Sequence, residues 1–126
     1  MGIEPRKNQP LKGMARLLAA WHNSRAGFSD IWATEEAFRI EVMAFFASIP
    51  LSFLVASDPF HAALLIASII MVMIVEVINS AIEATIDRIG PDYNEFSRIA
   101  KDLGSLAVLL AAVMSAMLWI VSIVSI

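Results

Sequence analysis

The sequence contains no cysteine, only two histidines and no block of basic residues. The lack of cysteine excludes disulfide frameworks, thiolate zinc sites and cysteine nucleophiles, and two histidines are too few for a histidine-based metal site. Nine Lys and Arg against 12 Asp and Glu give a net charge of −3, which does not favour nucleic-acid binding. The first ten residues are polar, so we expect no secretory signal peptide.

Apolar side chains, by contrast, make up 59% of the 126 residues. An ordinary soluble domain has about 45–50% apolar residues, and a fold of this size has too little interior to bury the excess. The length allows one domain, spanning residues 1–126. Composition therefore predicts a single-domain membrane protein.

The first third of the sequence divides into three parts. Residues 1–9 carry scattered charge and a proline and are predicted to be a disordered lead. Residues 11–23 place apolar side chains, including Trp21, on one helical face and basic side chains on the other. This pattern is typical of an interfacial helix lying on a membrane, although a transit peptide or a plain surface helix would share it. Residues 24–34 contain a glycine and predict an irregular connection.

Three long apolar segments follow, and no strand pattern or internal repeat is evident. They predict helices at about 36–56, 60–89 and 101–126, with a tight turn at 57–59. About 20 apolar residues cross the hydrocarbon core, so each helix contains one transmembrane span. The predicted fold class is an all-α integral membrane protein with an N-terminal amphipathic surface helix and three transmembrane helices.

Positive charge is distributed unevenly around these spans. Every Lys and Arg lies before the first span, at its start, or between the second and third spans. The positive-inside rule then places the N-terminus and the 87–102 loop in the cytoplasm.

Carboxylates collect at this cytoplasmic end. Glu76 lies about 24 Å along the second span from the outer turn, just inside a core about 30 Å thick. Asn79, Glu83 and Asp87 share its helix face, because the spacings are 3, 4 and 4 residues. Glu41 begins the first apolar run at about the same depth.

Other polar residues extend this band on the neighbouring segments. Glu35 precedes the first span, Lys101 and Asp102 begin the third, and Ser105 lies one turn further in. Carboxylates at a membrane edge imply a partner or a task, although an interhelical polar contact could also explain Glu76. Glutamate and asparagine oxygens suit Mg²⁺ with substrate phosphates, and a glutamate at the hydrocarbon boundary suits a general base.

Three segments together closely resemble the small prokaryotic diacylglycerol kinases. Residues 35–41 read E-E-A-F-R-I-E, residues 76–87 read E-V-I-N-S-A-I-E-A-T-I-D, and residues 100–105 read A-K-D-L-G-S. The pattern E-x-x-N-[ST]-A-I-E-x-x-x-D followed by A-K-D is the hallmark of that family, and the resemblance extends over nearly all of the chain from Arg16 onward. It implies a homotrimer of the bacterial inner membrane, with sites shared between subunits and Mg²⁺ and ATP as cofactor and phosphate donor.

The resemblance also implies roles for individual residues. Glu76 matches the general base that takes the proton from the lipid hydroxyl, and Glu35 and Glu83 match the metal-binding carboxylates. Lipid-side positions correspond to Glu41 and Ser105. The nucleotide-binding positions correspond to Arg16, Glu35, Asn79, Glu83, Asp92, Tyr93, Asn94, Lys101 and Asp102. Phosphoryl transfer chiefly requires alignment and charge neutralisation, so the absence of a Walker loop is no obstacle.

The chain departs from the enterobacterial pattern at Asn23-Ser24-Arg25, where relatives carry Tyr-Ser-Trp, and at Thr34, where Asn is common.

The carboxylate band and the resemblance together predict an ATP-dependent lipid kinase that converts diacylglycerol to phosphatidic acid. An undecaprenol kinase of the same family is one alternative, and a small proton-coupled transporter is another. A transporter would place its coupling acid near the bilayer midplane, and a non-catalytic scaffold would leave the carboxylate register unexplained.

Overall fold

The computed structural model describes residues 10–126, so the predicted lead at 1–9 lies outside the described residues. Four helices account for most of this part: α1 (Gly13–Thr34), α2 (Glu36–Val55), α3 (Pro59–Ile89) and α4 (Glu95–Val124). The last three, of 20, 31 and 30 residues, are long and apolar enough to cross a membrane. The predicted all-α class with three spans is confirmed.

The expected irregular connection at 24–34 is wrong, because α1 continues through it. A single glycine weakens a helix only modestly, and no proline interrupts the segment. Phe28, Ile31 and Trp32 continue the apolar face at helical spacing. These side chains then pack at the corner with α2, where Phe28 stacks on Trp32 and meets Phe38 edge-on.

The remaining helix ends follow from local chemistry. Asp58 caps α3 by accepting the backbone N–H of His61 at 2.8 Å, and Pro59 occupies the first turn. Gly90 ends α3 with φ of 143°, a conformation that other residues rarely adopt. The final helix begins six residues before the predicted 101, because Asn94 caps it by accepting the N–H groups of Phe96 and Ser97.

Helix α3 lies between α2 and α4 and packs along both of them. Polar side chains link the N-terminal half of α3 to α4: Ser68 Oγ and Ser115 Oγ are 2.8 Å apart, and His61 Nε2 lies 2.8 Å from Ser122 Oγ. Small side chains allow membrane helices to approach closely. The large apolar side chains mostly face outward, as expected for surfaces that meet lipid or another subunit.

Candidate active site

Glu76 and Asn79 are buried on the inward face of α3, with exposed fractions of 5% and 8%. They continue the stripe that Leu65 and Ser68 occupy nearer the N-terminal end of the same helix. Burial follows from the position of α3 between α2 and α4. A carboxyl group buried in an apolar helix bundle is costly and marks a functional site.

Three further carboxylates approach Glu76 from different parts of the chain. Glu35 lies at the corner between α1 and α2, Glu41 lies on α2, and Glu83 lies two turns along α3. Glu35 and Glu83 lie within charge–charge range of Glu76, and Glu76 lies within that range of Glu41. Like charges gathered at one place repel each other. A bound cation would relieve that repulsion.

The corner that carries Glu35 is held by its neighbours. Glu35 is the only residue between α1 and α2, and its extended backbone redirects the chain. Arg39 Nη1 donates to the carbonyl of Trp32 at 2.7 Å across the corner. Behind it, Ile31 and Phe38 are buried in the apolar cluster that also contains Val42. The position of Glu35 beside α3 is therefore a product of packing.

Asn79 connects this carboxylate group to α4. Its Nδ2 donates to Glu83 Oε1 at 3.5 Å, and its Oδ1 lies against Gly104. Asn79 Oδ1, Glu41 Oε2 and Ser80 Oγ are buried and make no hydrogen bond to the described residues. Such atoms usually indicate a water, ion or ligand that completes their bonding.

The donor set fits a metal ion that arrives with phosphates. Within residues 10–126, no three His, Cys, Asp or Glu side chains converge closely enough to form a complete metal cage. Mg²⁺ does not need one, because it is commonly held by one or two carboxylates together with substrate phosphates. Glu35 and Glu83, beside the buried amide of Asn79, provide that number of carboxylates.

A groove of about 520 Å³ runs between α1 and α3 next to these carboxylates. Glu35 lines one side, and Ser80 and Glu83 line the other. Asp30 also lines it, but it was not among the expected site residues, because residues 24–34 were expected to be an irregular connection. Had α1 been continued through this segment, Asp30 would have been placed one helical turn before Thr34, whose Oγ1 donates to the Asp30 carbonyl at 2.9 Å.

A second depression, of about 320 Å³, lies beside the loop between α3 and α4. It brings together five of the nucleotide-binding residues expected from the sequence: Asp92, Tyr93, Asn94, Lys101 and Asp102. Several already have partners. The Asn94 side chain caps α4, Lys101 Nζ donates to Asp87 Oδ1 at 3.0 Å, and Asp102 Oδ2 accepts from Arg98 at 2.8 Å.

Five expected site residues line neither cavity: Glu41, Glu76 and Asn79, which are buried or half-buried beside the groove, and Arg16 and Ser105, which are exposed. Arg16 is exposed near the start of α1, about 28 Å along the helix axis from Glu35. Ser105 is exposed on α4, next to the buried Gly104. Arg16 therefore cannot reach the carboxylate group of its own chain while α1 is straight.

Comparison with known proteins identifies the family to which this arrangement belongs. The family model described as prokaryotic diacylglycerol kinase matches residues 22–123. The chain belongs to this family. It is therefore a membrane-embedded kinase with a lipid acceptor, which confirms the expected enzyme class.

Curated relatives named diacylglycerol kinase match over most of their length. The protein of Escherichia coli strain K12 is 42% identical over 107 residues, covering 85% of this chain and 88% of the relative. That of Pseudomonas aeruginosa is 39% identical over 119 residues, covering 94% and 95%. That of Haemophilus influenzae is 35% identical over 107 residues, covering 85% and 91%. The matches span the carboxylate group and the loop between α3 and α4.

Proposed function

We propose that this family member is an ATP-dependent diacylglycerol kinase of the bacterial inner membrane. It would transfer the γ-phosphate of Mg-ATP to the hydroxyl of diacylglycerol, giving phosphatidic acid. The observation that carries the proposal is the buried Glu76, which has Glu35, Glu41 and Glu83 within range of its charge, near one end of three apolar helices. A lipid hydroxyl and a water-soluble nucleotide can meet only near a membrane surface.

Glu76 is the proposed general base. Its carboxylate accepts the proton of the lipid hydroxyl while the hydroxyl oxygen bonds to the γ-phosphorus and the bond to the ADP oxygen breaks. Glu35 and Glu83 would hold Mg²⁺ together with the phosphates, and the ion would supply positive charge to the transferred group. Asn79 lies beside these phosphates, and Glu41 lies on the lipid side.

The nucleotide is proposed to extend from the carboxylate group toward the loop between α3 and α4. Asp92, Tyr93 and Asn94 border that depression together with Lys101 and Asp102. Because the N-terminus and this loop both carry basic residues, we propose that both lie in the cytoplasm. The Ser105 hydroxyl of α4 is proposed to contact the lipid.

A homotrimer is the proposed assembly, with sites completed by a second copy. Arg16 supports this, because it lies too far along α1 to reach the site of its own chain. Mixing inactive Arg16→Ala subunits with inactive Glu76→Gln subunits should restore activity if Arg16 acts on a neighbouring copy. If mixed oligomers form and remain inactive, the proposal that two copies contribute residues to one site would be contradicted.

The deciding experiment is phosphate transfer from labelled ATP in mixed micelles. Diacylglycerol and undecaprenol are compared as acceptors, with and without Mg²⁺. We expect metal-dependent labelling of diacylglycerol that is lost in Glu76→Gln. Labelling of undecaprenol alone would assign the chain to an undecaprenol kinase branch, and transfer to neither lipid by a folded oligomer would refute the kinase proposal.

A matched pair of variants tests the metal carboxylate. Glu35 points toward the groove, whereas its neighbour Glu36 is exposed and lies outside both cavities. We expect Glu35→Gln to raise the Mg²⁺ concentration needed for half-maximal activity, and Glu36→Gln to leave it unchanged. Equal effects of the two variants would contradict a metal role for Glu35.

A further inference from the structure

Gly104 is buried on α4 and lies against Asn79. Its missing side chain leaves the space that the Asn79 amide occupies. A Cβ built on Gly104 would overlap Asn79 Oδ1 and would lie 3.2 Å from Asn79 Cγ. Asn79 is itself buried, so a methyl group at Gly104 would force its amide to turn away from its present direction.

The orientation of this amide matters because its two ends differ. Nδ2 is a donor and Oδ1 is an acceptor. Nδ2 faces Glu83 Oε1 at 3.5 Å, which is the favourable arrangement, since Oδ1 in that place would set lone pairs against a carboxylate. With Nδ2 directed at Glu83, Oδ1 must point to the other side, and the neighbour on that side is Gly104.

We propose that Gly104 is a positioning residue that keeps the Asn79 amide directed at the Glu83 carboxylate. The inference rests on the proposed function, in which Glu83 binds the metal. Groups that orient a metal-binding carboxylate typically change metal affinity or activity by about 10- to 100-fold when they are lost. Gly104 acts one step further out, because it makes no polar side-chain contact and acts only through the space it leaves.

This role differs from general helix packing. Gly104, Ala111 and Ser115 are all buried on α4, and all three let α4 approach α3. At Gly104 the space contains the side chain of a proposed site residue, Asn79, whereas Ser115 meets Ser68. A packing role predicts that Gly104→Ala is harmful whatever residue stands at 79. A positioning role predicts that the harm depends on Asn79.

The test is a double-mutant cycle of Gly104→Ala and Asn79→Ala, with two readouts. The first is Mn²⁺ binding with the non-hydrolysable nucleotide AMP-PCP, followed by electron paramagnetic resonance on the detergent-solubilised oligomer. The second is the thermal unfolding midpoint. Kinase activity at varied Mg²⁺ and ATP is measured alongside.

We expect Gly104→Ala to weaken Mn²⁺ binding and lower kcat by about 10- to 100-fold, close to the effect of Asn79→Ala. In the Asn79→Ala background the added methyl group has room, so Gly104→Ala should cause no further loss of Mn²⁺ binding. It should also leave the unfolding midpoint unchanged or raise it, because alanine is the better helix former.

Wild-type Mn²⁺ binding and activity in Gly104→Ala would overturn the inference. So would an equal drop of the midpoint in both backgrounds, or failure of both Gly104→Ala proteins to fold, because either result assigns Gly104 to packing alone. If the single variant fails to fold and the double variant folds, the dependence on Asn79 is upheld. A wild-type protein that binds Mn²⁺ and AMP-PCP but phosphorylates neither lipid would refute the proposed function and leave the cycle interpretable.

Discussion

Lys101 could serve either to stabilise the fold through its ion pair with Asp87 or to bind a phosphate of the nucleotide. The two roles predict free-energy contributions of different size. Lys101 Nζ lies 3.0 Å from Asp87 Oδ1, and the side chains are 43% and 70% exposed. An exposed pair contributes at most about 1 kcal/mol to stability. A charged hydrogen bond to a phosphate contributes about 1.5–3 kcal/mol, which corresponds to about 10- to 150-fold in affinity. We therefore expect Lys101→Gln to raise the KM for ATP by that factor while barely changing stability.

The matched variant is Asp87→Asn, which breaks the same ion pair and leaves the Lys101 ammonium in place. Initial rates at varied ATP and saturating lipid, together with thermal unfolding in detergent, measure both consequences. We expect the KM for ATP in Asp87→Asn to stay within a few-fold of wild type. Equal KM changes in the two variants would refute a direct nucleotide contact by Lys101. If Lys101→Gln left the KM for ATP unchanged and lowered stability by well over 1 kcal/mol, Lys101 would have a structural role and no role in nucleotide binding.

Three further predictions concern helix ends and helix contacts. The backbone N–H of His61 holds the pKa of the Asp58 carboxyl below its ordinary 3.8. Capping by Asp58 is therefore complete above pH 3.8 and is lost as the pH falls through the lowered pKa of the folded protein. When the pH is lowered below about 4, the thermal unfolding midpoint should decrease more steeply in wild type than in Asp58→Ser. Asn94→Ala should lower the free energy of unfolding by about 1 kcal/mol, and Asn94→Ser by much less, because serine can also cap the helix. A loss of ATP affinity in Asn94→Ser would show that Asn94 contacts the nucleotide in addition to capping α4. Ser68→Ala should destabilise the α3–α4 contact by about 0.6 kcal/mol, and adding Ser115→Ala should cost little more, as urea or thermal unfolding of the single and double variants would measure.

Helix boundaries were predictable where the sequence contains strong local signals. The turn at 57–59 joins an aspartate cap to a proline, and Gly90 stops α3, so the bounds expected for α2 and α3 agree with the structure within one residue. The start of α4 was misplaced because the apolar run begins only at Leu103, whereas helix formation begins at the Asn94 cap. Periodicity reports the buried face, and capping reports the end.

The composition of the carboxylate group was predictable, but its connections were not. The 3- and 4-residue spacings of Glu76, Asn79 and Glu83 specify a shared helix face. Whether that face is buried, and against what, depends on how helices far apart in sequence pack. The contact of Asn79 with Gly104 is of this kind, and no local pattern encodes it.

The half of the bundle that contains the 57–59 turn illustrates the same limit. His61, a lone histidine beside a turn, receives the backbone N–H of Ser57 at Nδ1, at 3.2 Å, and has Ser122 at Nε2. The side chain of Trp119 donates to the carbonyl of Leu65 at 3.2 Å. The contacts made by Ser122 and Trp119 join residues more than 50 positions apart, and sequence periodicity contains no information about which residue on α4 meets which residue on α3.

Helix α1 joins α2 through a single non-helical residue, Glu35, which is also a proposed metal ligand. α1 has 22 residues, about 33 Å of helix, so a swing of about 10° at Glu35 moves its far end by about 6 Å and Glu35 itself hardly at all. Because packing at the corner holds Glu35 beside α3, the angle at this one residue determines where the Arg16 end of α1 lies relative to a neighbouring copy or the membrane surface. Since the backbone at Glu35 has an ordinary extended conformation, its carboxylate can be altered without straightening the corner.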